Sequence, residues 1–270
     1  MKYDVQLCEV LRRAQTAENT FDYTVLVPKL AEVAQPGQFA HIYVPGKTLR
    51  RPISICDIDK KNGTLRFVFQ IRGAGTEQLS KFEVGDKMDI LAPLGHGFTF
   101  DPNAHNLFIG GGIGVPPLFG AARQCGKNAT VAVGFRNKDF VILEDDFHAA
   151  GCDLRIATDD GSYGHHGLVI DLIQDVHPDK IFACGPKVML RAVTEFAKAH
   201  NIPCEISLEE RMACGIGACL GCAVELYDEN GETYMGHVCK DGPVFLYTGD
   251  TYQGTQNDAI VLWISDAPEL

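Results

Sequence analysis

Three observations predict an α/β plus all-β chain, with an N-terminal antiparallel barrel, a doubly wound parallel sheet and a small cysteine-rich module at the C-terminal end. Short apolar runs separated by turn formers fill the first part, strand and helix patterns alternate through the middle, and four of the ten cysteines gather near the end of the 270 residues. The expected divisions are 1–102, 103–203 and 204–270.

A small antiparallel barrel or sandwich is expected from the runs Phe21 to Val27, Phe39 to Val44, Leu65 to Ile71 and Met88 to Ala92, which are broken by Pro36-Gly37, Pro45-Gly46, Asn62-Gly63 and Gly85-Asp86. Helical signal is sparse here, apart from a short turn after Thr76. The run Arg50-Arg51-Pro52-Ile53-Ser54-Ile55 carries possible chemistry. A guanidinium pairs bidentately with a pyrophosphate, and a serine hydroxyl three residues on can reach the edge of a flavin ring. The plainer alternative is a surface arginine before an edge proline. Gly73-Ala74-Gly75-Thr76 precedes a short helix, where amides and the threonine hydroxyl can hold phosphate; alone it is only a turn.

The rhythm changes near Asn106, and a boundary is expected between Phe100 and His105. A strand-like Leu107-Phe108-Ile109 runs into Gly110-Gly111-Gly112-Ile113-Gly114, and a helix opens at Pro116-Pro117, a position that suits proline. This is the strand–turn–helix context of a dinucleotide site, although Val115 stands where G-x-G-x-x-G has its last glycine, so a tight structural turn remains open. Strands at Thr130 to Phe135, Leu154 to Ala157 and Ile181 to Ala183 alternate with helices. The clearest helix is Lys187 to His200, with an apolar stripe of Met189, Val193 and Phe196. Cys184-Gly185-Pro186 ends one strand and starts that helix, leaving the cysteine to face whatever occupies the strand's carboxyl end.

After a strand at Cys204 to Leu208, the four gathered cysteines read Cys214-x4-Cys219-x2-Cys222-x16-Cys239. C-x4-C-x2-C with a distant fourth cysteine is plant-type [2Fe–2S] spacing. Gly215, Gly217 and Gly221 lie among these residues, where missing side chains let the backbone wrap closely and aim N–H groups at sulfur. A structural zinc site also takes four thiolates, but zinc ribbons supply two Cys-x-x-Cys knuckles and only one is present. A hairpin of Ala223 to Tyr227 and Thr233 to Gly236, turned at Asp228-Glu229-Asn230-Gly231, is expected to bring in the fourth cysteine.

Composition excludes other classes. A formal net charge of -11 opposes phosphate backbones, so no nucleic-acid partner is expected. No apolar run approaches bilayer length and no signal-peptide core opens the chain, giving the expectation of a cytoplasmic protein with no membrane partner. The other six cysteines stand singly and do not form a secreted disulfide framework. There is no G-x-S-x-G, H-E-x-x-H or P-loop lysine, and His165-His166 and Asp159-Asp160 read as solvated pairs.

Taken in order, the motifs resemble the ferredoxin-reductase superfamily. The strings Leu49-Arg50-Arg51-Pro52-Ile53-Ser54, Gly110 to Leu118, Glu209 to Cys219 and His237 to Phe245 are similar to one family within it, the electron-transfer subunits of class B, NAD-dependent dihydroorotate dehydrogenases. The likeness covers nearly the whole chain. It implies FAD on Arg51, Pro52, Ile53 and Ser54, on Phe69, Gln70 and Ile71, and on Gly75 and Thr76. It implies NAD near Gly110, Gly111, Gly112, Gly114, Cys184 and Gly185, and the [2Fe–2S] cluster on Cys214, Cys219, Cys222 and Cys239. It further implies an FMN-containing catalytic partner that oxidises dihydroorotate in pyrimidine biosynthesis, a heterotetramer of two plus two subunits, and electron flow through cluster and FAD to NAD as acceptor. No residue here reads as a dihydroorotate site or as catalytic. A tail through Trp263 to Leu270 and the overall acidity depart from the family pattern.

Two rivals stand beside this. One is an electron-transfer subunit of a sulfhydrogenase or of an NADH-dependent ferredoxin:NADP oxidoreductase; the other is a non-catalytic, zinc-stabilised nucleotide-sensing module. The NAD preference rests on resemblance, since Arg136 is available for a 2′-phosphate.

Overall fold

The computed structural model describes residues 3–227, 232–247 and 260–261. The expected turn at Asp228 to Gly231 and the tail from Trp263 lie outside the described residues. Strands β1 (Asp4–Ala17), β2 (Thr20–Leu26), β3 (Phe39–Ile42), β4 (Arg51–Asp59), β5 (Thr64–Gln70) and β6 (Lys87–Leu94) close an antiparallel barrel in the order β1-β2-β5-β4-β3-β6. Closure depends on β1, which pairs with β6 from Asp4 to Glu9 and with β2 from Glu9 to Ala17, shifting register between Val10 and Arg12. The extra residue bends the strand from one neighbour to the next, and closure leaves no open edge. Alternate residues such as Tyr23, Val25, Ile55, Phe67 and Ile90 fill the interior. Tyr23 is fully buried, and its hydroxyl donates to the Phe82 carbonyl at 2.9 Å, satisfying a group that would otherwise be costly to bury.

Two short helices accompany the barrel. Helix α1 (Pro28–Val33) was not legible as a periodic segment: it has six residues and buries only Leu30 and Ala31. Helix α2 (Ala74–Leu79) begins ahead of Thr76, one residue after the extended Gly73.

Past β6 the chain enters a seven-stranded sheet. Its strands are β7 (Asn106–Gly111), β8 (Ala129–Phe135), β9 (Asp153–Thr158), β10 (His165–His166), β11 (Lys180–Cys184) and β12 (Cys204–Ser207), with the late β15 (Val244–Tyr247) at one edge. The order β10-β9-β8-β7-β11-β12-β15 is parallel except at β15, which runs antiparallel to β12. Successive strands build outward from β7 in one direction and then, from β11, in the other. The carboxyl ends of β7 and β11 are therefore the topological switch point, where ligands bind in such sheets.

Helices α3 (Pro116–Cys125) and α4 (Glu144–Ala149) cover one face, and α5 (Lys187–His200) covers the other with a 3-10 turn at Val169–Ile173. Helix α3 is wedged between sheet and barrel: Val115, Leu118 and Phe119 share a core with Cys56 and Val68 of the barrel and with Phe108 and Phe182 of the sheet. The α5 bounds are those expected, but its buried line is Leu190, Val193, Phe196 and Ala197. Met189 sits only half-buried at its edge, close to Gly111.

The cysteine segment folds as a hairpin of β13 (Ala223–Tyr227) and β14 (Thr233–His237), followed by the one-turn α6 (Val238–Asp241) and β15; β16 (Ile260–Val261) adds to β13. This module packs on the outer barrel wall, where Phe39 and Leu94 join Val224, Leu226, Val238 and Phe245 in one cluster.

Candidate functional site

Hairpin register builds one half of a cysteine nest. Ala223 pairs with His237, and the Val238 amide donates to the Cys222 carbonyl at 3.0 Å, so Cys222 and Cys239 come together at the hairpin base. Both are buried. The other half is the loop before β13. Gly215 (φ +73) and Gly217 (φ +78) adopt left-handed backbone there, a conformation costly for other residues. Those turns aim amides at sulfur: Ile216 and Ala218 donate to Cys214 Sγ at 3.5 and 3.3 Å, and Gly217 donates to Cys239 Sγ at 3.1 Å.

Thiol acidities follow these surroundings. Burial acts to raise Cys214, but hydrogen bonds from Ile216, Cys219 and Ala218 outweigh it and bring the thiol down to about 6. Burial, then Cys222, pushes Cys239 up to about 12. A coordinating metal deprotonates such a thiol outright. Among the described residues no three His, Cys, Asp or Glu side chains are arranged for a single ion. The bonds to sulfur come from the backbone amides of Ile216, Gly217 and Ala218. Four cysteines supplied by one loop and one hairpin, with amides aimed at sulfur, match plant-type [2Fe–2S] ligation. The donor set therefore fits a [2Fe–2S] cluster.

A cleft of ≈ 250 Å³ opens beside the nest, between barrel and sheet. Pro52, Ile53 and Ser54 of β4, Phe69 and Gln70 of β5, and Thr76 of α2 line it. Cys184, at the carboxyl end of β11, faces it from the sheet. Burial holds that thiol far above its ordinary range, so it is a neutral S–H. A second cavity of ≈ 590 Å³ shares Gln70, Arg72 and Ile113 with the first, and adds Ile71, Gly112 and Arg136. The two chambers thus meet at the switch point.

Arg51 is not among the residues that line either cavity, and its contacts run to its own strand and to α2. Its Nη1 donates to the carbonyls of Leu49 and Arg50 at 2.7 and 3.1 Å, and its guanidinium abuts Gly75, where a Cβ would collide. The Thr76 hydroxyl accepts from the Arg72 amide at 2.9 Å and donates to the Gly73 carbonyl at 3.1 Å, fixing the turn between β5 and α2. Three glycines, two at the end of β7 and one in the turn after it, occupy packing positions. A Cβ on Gly110 would meet Val115, one on Gly111 would meet Met189 and Pro186, and one on Gly114 would meet the Cys184 and Gly185 backbone. Gly185, with φ +156, presses on Gly111 in turn. Gly112 is the glycine of this turn that lines a chamber.

Sequence reasoning missed Arg72, Ile113, Phe39, His41 and Met212. Phe39 and Met212 line the first chamber and also pack into the module core. His41 lies one alternate position along β3, fully buried beneath the cysteine loop. In sequence these outward positions look solvent-facing, because the segment that covers them arrives about 170 residues later.

Comparison with known proteins agrees with this geometry. Residues 209–249 match the sequence model of the iron-sulfur cluster binding domain of dihydroorotate dehydrogenase B. The chain is 43% identical over 247 residues to the dihydroorotate dehydrogenase B (NAD(+)) electron transfer subunit of Geobacillus thermodenitrificans, covering 87% of this chain and 94% of that one. It is 42% identical over 240 residues to the Geobacillus kaustophilus counterpart, covering 85% and 91%. A solved NADH-dependent reduced ferredoxin–NADP oxidoreductase superposes with a TM-score of 0.78 at 30% identity, covering 89% of this chain and 88% of that chain.

Proposed function

The chain belongs to the family of dihydroorotate dehydrogenase B (NAD(+)) electron-transfer subunits, and from that premise we propose that it relays electrons from dihydroorotate oxidation on a catalytic partner subunit to NAD+. It is an oxidoreductase subunit of pyrimidine biosynthesis that carries FAD and a [2Fe–2S] cluster. We assign FAD to the first chamber, nicotinamide to the second, and the cluster to Cys214, Cys219, Cys222 and Cys239. The partner carries FMN, and the assembly is two plus two. No helix among the described residues is long and apolar enough to cross a membrane. The observation that carries the reading is the contiguity of nest and cleft, since Phe39 belongs to the buried cluster that holds Cys222 and Cys239 and also lines the first chamber.

When bound, the cluster supplies one-electron exchange and FAD supplies conversion between single electrons and the hydride pair of a nicotinamide. The protein's own part is placement. Arg51, held by two backbone carbonyls, would supply a guanidinium to the FAD pyrophosphate. Pro52, Ile53 and Phe69 line the chamber and would exclude water from a flavin ring, and Ser54 would supply a hydroxyl to its edge. Cys184 keeps its proton and adds no charge at the meeting of the chambers. Amides of Ile216, Gly217 and Ala218 stabilise thiolate charge in the nest.

The ferredoxin–NADP oxidoreductase likeness, at 30% identity, is weaker than the 43% likeness to the dihydroorotate family. The deciding experiment is visible and low-temperature EPR spectroscopy of anaerobically purified protein, before and after NADH. Flavin bands, a thiolate-to-iron shoulder and a one-electron signal after NADH are expected. A colourless, zinc-loaded chain would overturn the assignment. Copurification with an FMN protein that oxidises dihydroorotate separates the proposed partner from that of a ferredoxin-linked complex.

A further inference from the structure

His41 is fully buried, and neither ring nitrogen has a well-formed hydrogen bond. Buried polar atoms are rarely left this way, so the position calls for a physical reason. Along β3, Ala40 and Ile42 point into the barrel core, while Phe39 points outward into the module core and His41 shares its side. The ring lies against the cysteine loop: a Cβ on Gly215 would stand 2.6 Å from His41 Nδ1. The backbones of Cys214 and Arg50 are the hydrogen-bonding groups that face it. Behind the ring, Arg50 Nη1 donates to the His41 carbonyl at 3.2 Å and pairs with Asp89 Oδ1 at 2.9 Å, tying the strand beneath the loop. The imidazole carries at least one N–H to donate in either protonation state.

We propose that His41 is a positioning residue for the cysteine nest: its imidazole is the seat on which Cys214–Gly215 rests, and its N–H is held for the backbone of that segment. Gly215 lets the loop come down onto the ring because it has no Cβ. Seated there, the following amides stay aimed at Cys214 Sγ. The barrel thereby sets the geometry of a ligand that belongs to another part of the fold. This inference rests on the iron–sulfur reading above.

The test compares the wild-type holoprotein with His41→Gln, which retains an N–H donor, and His41→Leu, which retains bulk alone. Three quantities are read: iron release to a chelator, the EPR-monitored midpoint potential, and flavin content. His41→Leu is expected to lose iron about 10- to 100-fold faster, the usual cost of removing a group that supports a ligand. Its midpoint potential should shift while flavin content holds, and His41→Gln should restore most of both. Wild-type iron release and potential in His41→Leu would overturn the assignment, as would a His41→Gln variant as leaky as His41→Leu.

Should His41→Leu fail to fold, wild-type protein decides. Carbethoxylation of His41 only after iron removal supports the seat, and modification with iron in place sinks it. A wild-type chain without an iron–sulfur signal would instead refute the functional reading and this inference with it, so the two failures are distinguishable.

Discussion

The barrel and the cysteine module solve the same problem with different means. The barrel buries a self-contained set of side chains, including Tyr23, Phe67, Met88 and Ile90, inside a sheet closed on itself. Among the described residues, the module's cluster has eight buried members: Phe39 and Leu94 come from the barrel and two more are Cys222 and Cys239. A core that borrows two members and uses two others as ligands leaves few of its own to offset chain entropy. The lesson is that the barrel is held by apolar burial, while the module depends on its metal and on the wall it leans against.

Iron removal should produce the largest separation between them. Chelation is expected to erase protection from amide exchange at Ile216, Gly217 and Ala218 and in β13 and β14, while the barrel strands stay protected. Uniform protection after chelation would show that the module stands by itself.

Replacing Arg66 probes the barrel from its other side. Arg66 binds the fully buried Asp22 of the barrel at 2.9 Å and the partly exposed Asp146 of α4 at 2.6 Å, joining barrel to sheet domain. Breaking a buried pair costs about 3–5 kcal/mol. Arg12 still reaches Asp22 at 2.6 Å, which places Arg66→Met toward the lower end. Denaturant unfolding should show that loss, with iron release unchanged.

Arg51→Ala should weaken FAD binding by about 1.5–3 kcal/mol, the range for hydrogen bonds to charged groups, read as the flavin dissociation constant. The cysteine nest should keep its cluster. The smallest effect is expected from Gly217→Ala, where the left-handed backbone penalty is about 1–2 kcal/mol and the new methyl meets the Lys240 stem at 2.6 Å. Iron release should quicken while the barrel melts as in the wild type.

Much of the plan was legible because it is written in local chemistry. Asn62-Gly63 turns β4 into β5, with Gly63 at φ +66, and Asp59 Oδ1 accepts from the Asn62 amide at 3.0 Å. The helix from Lys187 to His200 follows from its periodicity. The spacing of Cys214, Cys219 and Cys222 announces the cluster before any contact is known. What stayed hidden was long-range. β15 joins the parallel sheet antiparallel to β12, a pairing that no local pattern encodes. The triple-glycine turn reads as a nucleotide signature, yet Gly110, Gly111 and Gly114 occupy close packing contacts.

The sequence by itself determined strands β2, β3, β5 and β6 of the barrel, the alternation of strand and helix in the sheet, and the four thiols, because periodicity, turn residues and ligand spacing act over a few positions. Only the tertiary structure decided that Cys222 meets Cys239 through hairpin register, that Phe39 stands between cleft and nest, and that His41 lies beneath Cys214. Those relations depend on which surface covers which. Burial is a property of the assembled chain: an outward-facing histidine on a strand looks solvated until the distant segment that excludes water from it has been placed.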